Sequence, residues 1–244
     1  MIKKIVLFVI GLFDFFYQKK IMTFLKKKKF DEIDIFFDVG AHKGESINLF
    51  LRNMKIKKII SFEASPVNFR ILKIKKIYYS KIFKNTQILI ENIALGSENK
   101  EKIFKQFNES SSSTIKDINE ESKYFKKKFK LLNFLSNNKT YETFIINIQT
   151  LSDYLEKNNI NRVGFLKIDT EGYEYEVLKG LNNKIQSVNI IMFEHHYDNM
   201  IKKDYTFIDI NNLLVNNNFQ QIYKSKMPFR KTFEYIYKKR ELLD

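Results

Sequence analysis

The ten residues FFDVGAHKGE at positions 36–45 decide the fold of this chain. Two phenylalanines, which favour strands, lead into Asp38 and Gly40, and a second glycine, Gly44, follows four positions later. This order predicts a buried strand, a tight turn and the start of a helix. Glycine permits turn conformations and close approaches that a side chain would block. In a βαβ unit, such a turn brings the backbone close to a nucleotide-like ligand at the N-terminus of the helix.

The rest of the chain repeats this alternation of strand and helix. We expect an α/β, doubly wound fold, with a seven-stranded, mainly parallel sheet, helices on both faces and a closing antiparallel strand pair. The predicted strands cover residues 33–39, 58–63, 86–92, 100–107, 144–148, 163–169, 188–194, 219–224 and 232–237. The predicted helices cover residues 44–54, 66–79, 151–157, 172–178 and 205–215.

Two segments lie outside this pattern. Residues 1–33 form an apolar and basic N-terminal extension, predicted to be helical, before a single domain at 34–244. Its apolar run, Ile5 to Phe13, is too short to span a bilayer, and no small-residue cleavage site follows it. We expect this helix to pack on the domain, with an interfacial membrane helix as the alternative.

The polar and lysine-rich insertion at about 108–140 is either a surface insertion or a lid over the substrate.

The composition restricts the function. The chain carries a formal net charge of +15, but its lysines are scattered, which favours a solvated surface over a nucleic-acid site. Cysteine is absent, which excludes disulfides, a thiolate zinc site and a cysteine nucleophile. We therefore expect a cytoplasmic protein, with contact between the extension and the inner face of the membrane as an open alternative.

The glycine turn does not suit a polyphosphate. A phosphate-binding P-loop would need Gly-Lys-Ser/Thr, whereas Gly44 is followed by Glu45, which would repel a phosphate. The third glycine of the dinucleotide fingerprint is also missing. Glu63 ends the second strand, where a carboxylate can bind both ribose hydroxyls, although it could also face solvent. A nucleoside without phosphates and with a positive centre describes S-adenosylmethionine better than NAD, and Asp38 would face its amino-acid end.

Acidic residues and histidines follow two later strands. Asp169 and Glu171 leave the end of one buried strand, and Glu194, His195 and His196 end the next. Parallel strand ends meet at one edge of a sheet, so these groups should lie beside the turn. Capping of the N-terminus of the following helix would explain one of these carboxylates, but not the whole group. Either histidine could remove a hydroxyl proton, although a structural role is the alternative. A divalent cation held by these groups is the less favoured hypothesis, because no spacing is diagnostic.

Taken together, the blocks around these residues resemble the FkbM-type methyltransferases. The resemblance extends from about Asp34 to His196, and the DTEGYE segment at 169–174 with VLKG at 177–180 is its most specific part. Its other blocks are FDVGAHKG at 37–44, FEASP at 62–66, NIALG at 92–96, SST at 112–114 and LSDYL at 151–155. The resemblance implies a Rossmann-like class I methyltransferase that uses S-adenosylmethionine to methylate an oxygen.

The resemblance also implies roles for individual residues. The implied cofactor-binding residues are Asp38, Gly40, Ala41, His42 and Gly44 around the methionine end, Glu63 at the ribose, and Asn92 with Ala94 beside the adenine. The implied acceptor-facing residues are Asp169, Glu171, Glu194, His195 and His196.

The expected function is O-methylation of a sugar, saccharide or related small metabolite. A nucleic-acid enzyme is less expected, because the chain has no cysteine for C5 attack and no Asn/Asp-Pro-Pro-Tyr motif, so only RNA ribose 2′-O-methylation stays open. The third alternative is a non-catalytic, cofactor-binding scaffold in glycan assembly, which the apolar N-terminus suggests.

Overall fold

The computed structural model describes residues 2–107, 113–126 and 141–242, with side chains from Phe13 onward. The predicted insertion at 108–140 is therefore described only at 113–126, and its proposed role as a lid stays a prediction. The strands are β1 (Glu32–Val39), β2 (Lys55–Phe62), β3 (Gln87–Glu91), β4 (Ala94–Leu95), β5 (Lys100–Phe107), β6 (Tyr141–Gln149), β7 (Val163–Ile168), β8 (Val188–His196), β9 (Phe219–Lys226) and β10 (Thr232–Lys239). The helices are α1 (Ile2–Lys27), α2 (Glu45–Asn53), α3 (Pro66–Ile82), α4 (Leu151–Lys157), α5 (Glu174–Lys179) and α6 (Phe207–Asn216), with short 3₁₀ turns at Asn182–Ser187 and Arg240–Leu242.

The main sheet has seven strands in the order β3-β2-β1-β7-β8-β10-β9. The first five are parallel, and β10 runs antiparallel to both of its neighbours. This confirms the predicted doubly wound sheet with a closing antiparallel pair. The strand order reverses between β1 and β7, which is where open α/β sheets form a ligand crevice at the carboxyl ends of their strands.

A second sheet of three strands, in the order β4-β6-β5, was not predicted. The segments of β5 and β6 were predicted as strands beyond the seven of the main sheet, but no sheet was assigned to them. Their side chains alternate: Phe104 and Ile146 are buried, whereas Ile103 and Ile145 are exposed. A period of two shows that a segment is a strand with one covered face, but it does not show which sheet the strand joins.

The main sheet is covered on both faces because its central strands are apolar at successive positions. Phe36 and Phe37 are adjacent in β1 and lie in two different core clusters, since neighbouring strand residues point to opposite faces. The cluster around Phe37 includes residues of α4, α5 and α6, and the cluster around Phe36 includes residues of α1, α2 and α3.

The C-terminal half of α1 packs on the sheet. Ile21, Met22 and Leu25 are buried against the Phe36 cluster. The Tyr17 hydroxyl donates a hydrogen bond to the carbonyl of Ser225 in β9 over 3.0 Å. The extension is therefore attached to the domain. Among the described segments, no helix combines the length and the apolar character that crossing a membrane requires.

Replacing Leu25, which is fully buried, with alanine should lower the free energy of unfolding by about 2–5 kcal/mol. The change would leave a cavity between α1 and the sheet, and urea denaturation would measure the loss. Lys27→Ala, on the exposed side of the same turn, is the matched control and should change stability by less than about 0.5 kcal/mol. Equal stability of the two variants would contradict the packing of α1.

Candidate active site

A cleft of about 290 Å³ opens at the carboxyl edge of the main sheet. Its first end, on the β2 side, is lined by Gly40, Ala41, His42, Glu63, Ala94 and Ile115. Its second end, on the β8 side, is lined by Asp14, Tyr17, Gln18, Glu194, Arg230 and Glu234. We call these the turn end and the α1 end. Lys167, Asp169 and Glu171, on β7 and the loop after it, also line the cleft.

The glycine turn forms the wall where the two ends meet. Gly40 has a φ of +81°, and its amide donates a hydrogen bond to the carbonyl of Phe62 over 2.9 Å. A Cβ atom at this position would lie 1.9 Å from the backbone oxygen of Asp169. Only glycine therefore allows β1 to turn this close to the end of β7.

Two residues predicted to line the methionine end lie behind this wall. Asp38 is fully buried and accepts a 2.5 Å hydrogen bond from the Ser46 hydroxyl, so it fixes the start of α2. Gly44 has a φ of +86°, and a Cβ there would meet side chains of Leu72 and Tyr79 in α3 at 3.0 and 3.3 Å. Gly44 thus serves the packing of α3 on the turn. Neither residue is among those that line the cleft.

Glu63 connects the glycine turn to the end of β2. Its carboxylate accepts hydrogen bonds from the amides of His42 at 2.7 Å and Ser65 at 2.9 Å. Burial raises the pKa of Glu63 to about 7, against the lowering effect of these two amides. Its position in the cleft wall suits the predicted ribose contact. Asn92 lies outside the cleft lining and donates a 2.8 Å hydrogen bond to the carbonyl of Glu63, whereas Ala94 does line the cleft.

Lys167 is a cleft residue that the sequence analysis missed. Its ammonium lies 3.1 Å from a carboxylate oxygen of Asp169 and 3.8 Å from one of Asp38, its register partner on β1. Burial opposes ionisation of Asp169, but the charge and hydrogen bond of Lys167 hold its pKa below the usual value. Asp169 is thus an ionised carboxylate, and its side chain is 35% exposed. The signal in the sequence was a single lysine within the apolar strand VGFLKI.

Two buried carboxyl groups face each other across β8 and β10. Glu194 and Glu234 are register partners, and both line the α1 end of the cleft. Burial, together with the nearby charge of Asp169, raises the pKa of Glu194. Burial also raises the pKa of Glu234 to about 7, although Lys167 opposes the shift. Glu234 was not predicted to be a site residue. The only indication of it in the sequence was a glutamate between apolar residues of β10.

His196 is surrounded by carboxylates. Its Nε2 lies 3.2 Å from Glu194 and 3.4 Å from Glu171, and its Nδ1 lies 3.7 Å from Asp198. Burial opposes protonation of this imidazole, but the charges of Glu171 and its other acidic neighbours raise its pKa to about 10. At neutral pH, His196 is therefore a cation paired with carboxylates rather than a base. It lies outside the cleft lining, directly behind Glu194 and Glu171.

His195 lies on the other side of β8. It is 3% exposed and packs against the rings of Tyr197, Tyr205 and Phe207. Burial lowers its pKa to about 3, so the ring is neutral. The structure does not bring His195 to the cleft, because adjacent strand residues point to opposite faces and Glu194 takes the cleft-facing position.

The loop after β7 is fixed by its own hydrogen bonds. Glu171 has a φ of +50°, and its carbonyl accepts a 2.7 Å hydrogen bond from the Thr114 hydroxyl. The carboxylate of Glu174 accepts hydrogen bonds from the amides of Thr170 and Gly172 at 3.1 and 3.0 Å. Among the residues that the structure describes, no group of three or more histidine and acidic side chains is arranged to hold a metal ion.

Comparison with known proteins identifies this architecture. The Methyltransferase FkbM domain matches residues 38–221, a span that includes the glycine turn and the ends of β2, β7 and β8. The chain belongs to the FkbM methyltransferase family. This confirms the predicted family.

Solved structures of methyltransferases share the fold. The FkbM methyltransferase of Methylobacillus flagellatus aligns with a TM-score of 0.56 at 15% identity, over 85% of this chain and 44% of that protein. This chain thus spans less than half the length of that relative. Magnesium protoporphyrin IX methyltransferase (ChlM) of Synechocystis, solved with bound S-adenosylmethionine, aligns with a TM-score of 0.51 at 8% identity, over 93% of this chain and 80% of that one.

One relative has a named substrate class. The hexuronic acid methyltransferase AglP of Haloferax volcanii is 41% identical over 51 residues, which are 20% of this chain and 21% of that protein. The similarity covers about a fifth of each chain.

The three histidines of the chain make its protonation states directly measurable. In imidazole ¹H–¹⁵N spectra, the His196 signal should report a protonated ring up to about pH 10, and the His195 signal a neutral ring down to about pH 3. Because the pKa of His196 is raised from its ordinary 6.5, its stabilising contribution is complete below pH 6.5 and is lost as the pH rises towards 10.

The variant His196→Gln lacks the imidazole signal of His196 and so identifies that signal in the spectrum. The same variant is the control for the measurement of unfolding free energy. Between pH 7 and 9, this variant should show a flatter decline in unfolding free energy than the parent chain. A His196 ring that loses its proton near pH 6.5 would contradict the carboxylate enclosure.

Proposed function

We propose that this protein is an O-methyltransferase that transfers the methyl group of S-adenosylmethionine to a hydroxyl of a saccharide or related small metabolite. The observation that carries the proposal is an acidic cleft in a basic protein. Seven carboxyl groups line the cleft, against two side chains that are always cationic, Lys167 and Arg230, although the chain has a net charge of +15. Carboxylates suit a cationic cofactor and the hydroxyl groups of a sugar.

The turn end is the proposed cofactor site. The amides of the glycine turn and the carboxylate of Glu63 are placed for the methionine and ribose parts, and the apolar wall at Ala94 and Ile115 is placed for the adenine. S-adenosylmethionine supplies an activated methyl group. Gly40 matters here because its missing side chain keeps the wall between β1 and β7 open.

The protein's task in the transfer is to orient the acceptor hydroxyl and to accept its proton. We assign orientation to Asp169, which is ionised and exposed to the cleft. We assign proton acceptance to Glu194, because a carboxylate with a raised pKa is a stronger base than an ordinary one. Since His196 holds its own proton, it positions Glu171 and Glu194. The hypothesis that His195 or His196 is the base receives no support from these positions.

The alternative of RNA 2′-O-methylation is less favoured. RNA binding depends on phosphate contacts made by lysine and arginine. The two permanent cations of the cleft are already paired, Lys167 with Asp169 and Arg230 with Asp14. The other lysines and arginines that the structure describes are not among the residues that line the cleft. No structural observation favours the alternative of a non-catalytic scaffold.

Glu63→Gln should weaken the binding of S-adenosylmethionine about tenfold or more, because the neutral amide has one hydrogen-bond acceptor where the carboxylate has two. Isothermal titration calorimetry would measure the dissociation constant. Glu32→Gln is the matched control, since Glu32 lies at the opposite end of β1 with its side chain 72% exposed. If the parent chain binds no S-adenosylmethionine, the proposed function is wrong; if the two variants bind alike, the role of Glu63 is wrong.

We propose that the acceptor lies at a membrane surface. That this surface is the cytoplasmic face of the membrane stays a prediction. Phe15 and Phe16 on α1 are 59% and 57% exposed, and Phe229 in the β9–β10 turn is 77% exposed. Asp14 and Arg230, which line the cleft, are sequence neighbours of these rings. Exposed lysines, Lys19 and Lys20, follow one helical turn after Phe15 and Phe16. Aromatic rings with adjacent lysines suit the interface of an anionic membrane.

The double variant Phe15→Ser/Phe16→Ser should lose most of its binding to vesicles of phosphatidylcholine mixed with phosphatidylglycerol. Co-sedimentation would measure the bound fraction, which should also fall with added salt and with vesicles of phosphatidylcholine alone. Ile74→Ser/Ile77→Ser removes two apolar residues from α3 that are at least as exposed, at 70% and 59%, and is the control. Equal binding of both variants, or dimerisation through this patch without vesicle binding, would overturn the membrane assignment.

A further inference from the structure

The α1 end of the cleft is a chamber between the extension and the main sheet. Its floor is formed by Glu194 and Glu234, which face each other across β8 and β10. Its roof is formed by Tyr17 and Gln18 of α1. The Tyr17 hydroxyl attaches α1 to the carbonyl of Ser225, whereas neither carboxyl group of the floor is part of the glycine turn.

The cations of the chamber are already neutralised. The Arg230 guanidinium lies 3.2 Å from the Asp14 carboxylate across the entrance. Lys167 lies between Asp169 and Asp38, at 3.1 and 3.8 Å. Among the described residues that line the cleft, these two are the only ones with a permanent positive charge, and each has a carboxylate partner.

The remaining groups of the chamber are hydrogen-bonding groups without positive charge. Asp169 lies close enough to Glu194 for its charge to disfavour ionisation of that group, and it acts in the same direction on Glu234, where Lys167 opposes it. A second anion placed beside Glu194 would be repelled by the charge of Asp169 in a poorly hydrated space. A sugar ring with only hydroxyl or amino groups would instead find acceptors in the carboxylates and a further polar partner in the amide of Gln18.

Resting on the proposed function, we propose that the α1 chamber selects a sugar that carries no acidic group, and that Tyr17, Gln18 and Glu234 determine this specificity. The acceptor class is thus a neutral or amino sugar. A uronic acid or a sugar phosphate, whose anion would enter the chamber beside Glu194 and Glu234, is excluded. This separates the chain from the hexuronic acid methyltransferase to which 51 of its residues are similar.

The test uses the full chain, S-adenosylmethionine labelled in its methyl group, and saccharides extracted from the source cell envelope. After transfer, the saccharides are hydrolysed and the labelled monosaccharides are separated by anion exchange. Label in monosaccharides that the column does not retain supports the proposal, and label in uronic acids or sugar phosphates overturns it. If calorimetry shows bound S-adenosylmethionine but no saccharide is labelled, the proposed methyl transfer to a saccharide is itself wrong.

Matched pairs of methyl glycosides, each a neutral hexoside with its uronate, give a second and quantitative arm. The parent chain should prefer the neutral member of each pair by about tenfold or more in kcat/KM. One repulsive contact between the uronate and a carboxylate of a partly buried site accounts for a difference of that size. At pH 8, above the pKa of about 7 to which burial raises Glu234, Glu234→Gln should reduce this preference several-fold, because it removes the charge of that carboxylate. The affinity for S-adenosylmethionine should stay unchanged, because Glu234 lies at the α1 end of the cleft and not at the turn end.

Glu241→Gln is the control for these measurements, since its side chain is 66% exposed after the end of β10 and lies outside the cleft lining. Tyr17→Phe should raise KM for the neutral hexoside without changing the binding of S-adenosylmethionine. An unchanged preference in Glu234→Gln, or a parent chain that prefers the uronates, would overturn the specificity assignment.

Discussion

The close approach of Gly40 to the backbone of Asp169 is the constraint on which the rest of the site depends. A single added carbon would lie 1.9 Å from the Asp169 oxygen, so the ends of β1 and β7 can meet only with glycine there. Because they meet, the register brings Asp38 opposite Lys167, and the ammonium of Lys167 reaches two carboxylates. The cleft then opens on both sides of this contact, towards β2 on one side and towards β8 and α1 on the other.

The electrostatics of the cleft follow from that geometry. A buried carboxylate is tolerated only where hydrogen bonds or opposite charges replace water, or where it takes up a proton. Both solutions occur here. Lys167 keeps Asp169 ionised, whereas Glu234 and Glu63 have pKa values raised to about 7 by burial. The cleft is therefore lined by an ionised acid and by acids whose pKa values are raised to about 7, a combination that suits proton removal from a hydroxyl.

The extension is part of the site rather than an appendage. Its attachment through Ile21, Met22 and Leu25 places Tyr17 over the β8–β10 floor, where it lines the cleft. The same helix carries the exposed phenylalanines Phe15 and Phe16. One segment thus connects the core, the α1 end of the cleft and an aromatic surface.

The sequence by itself determined the class of this protein. The strand, the glycine turn and the acidic residues at 63, 169, 171 and 194 predicted an α/β fold with a cofactor cleft at one sheet edge, because periodicity and glycine are local properties of the chain. Tertiary structure decided which of those residues face the cleft. Asp38, Gly44 and Asn92 lie behind its wall, and His195 points to the opposite face of β8.

Lys167, Glu234 and Tyr17 entered the site only through folding. They come from β7, β10 and α1, which are far apart in the chain. Lys167 and Glu234 are each flanked by apolar residues, so a pattern search treats their segments as core. The charge of a site depends on such long-range pairings. Whether a carboxylate acts as a base, a ligand or a buried acid depends on the groups within a few ångströms of it. Strand register and helix packing, rather than adjacency in sequence, determine which groups those are.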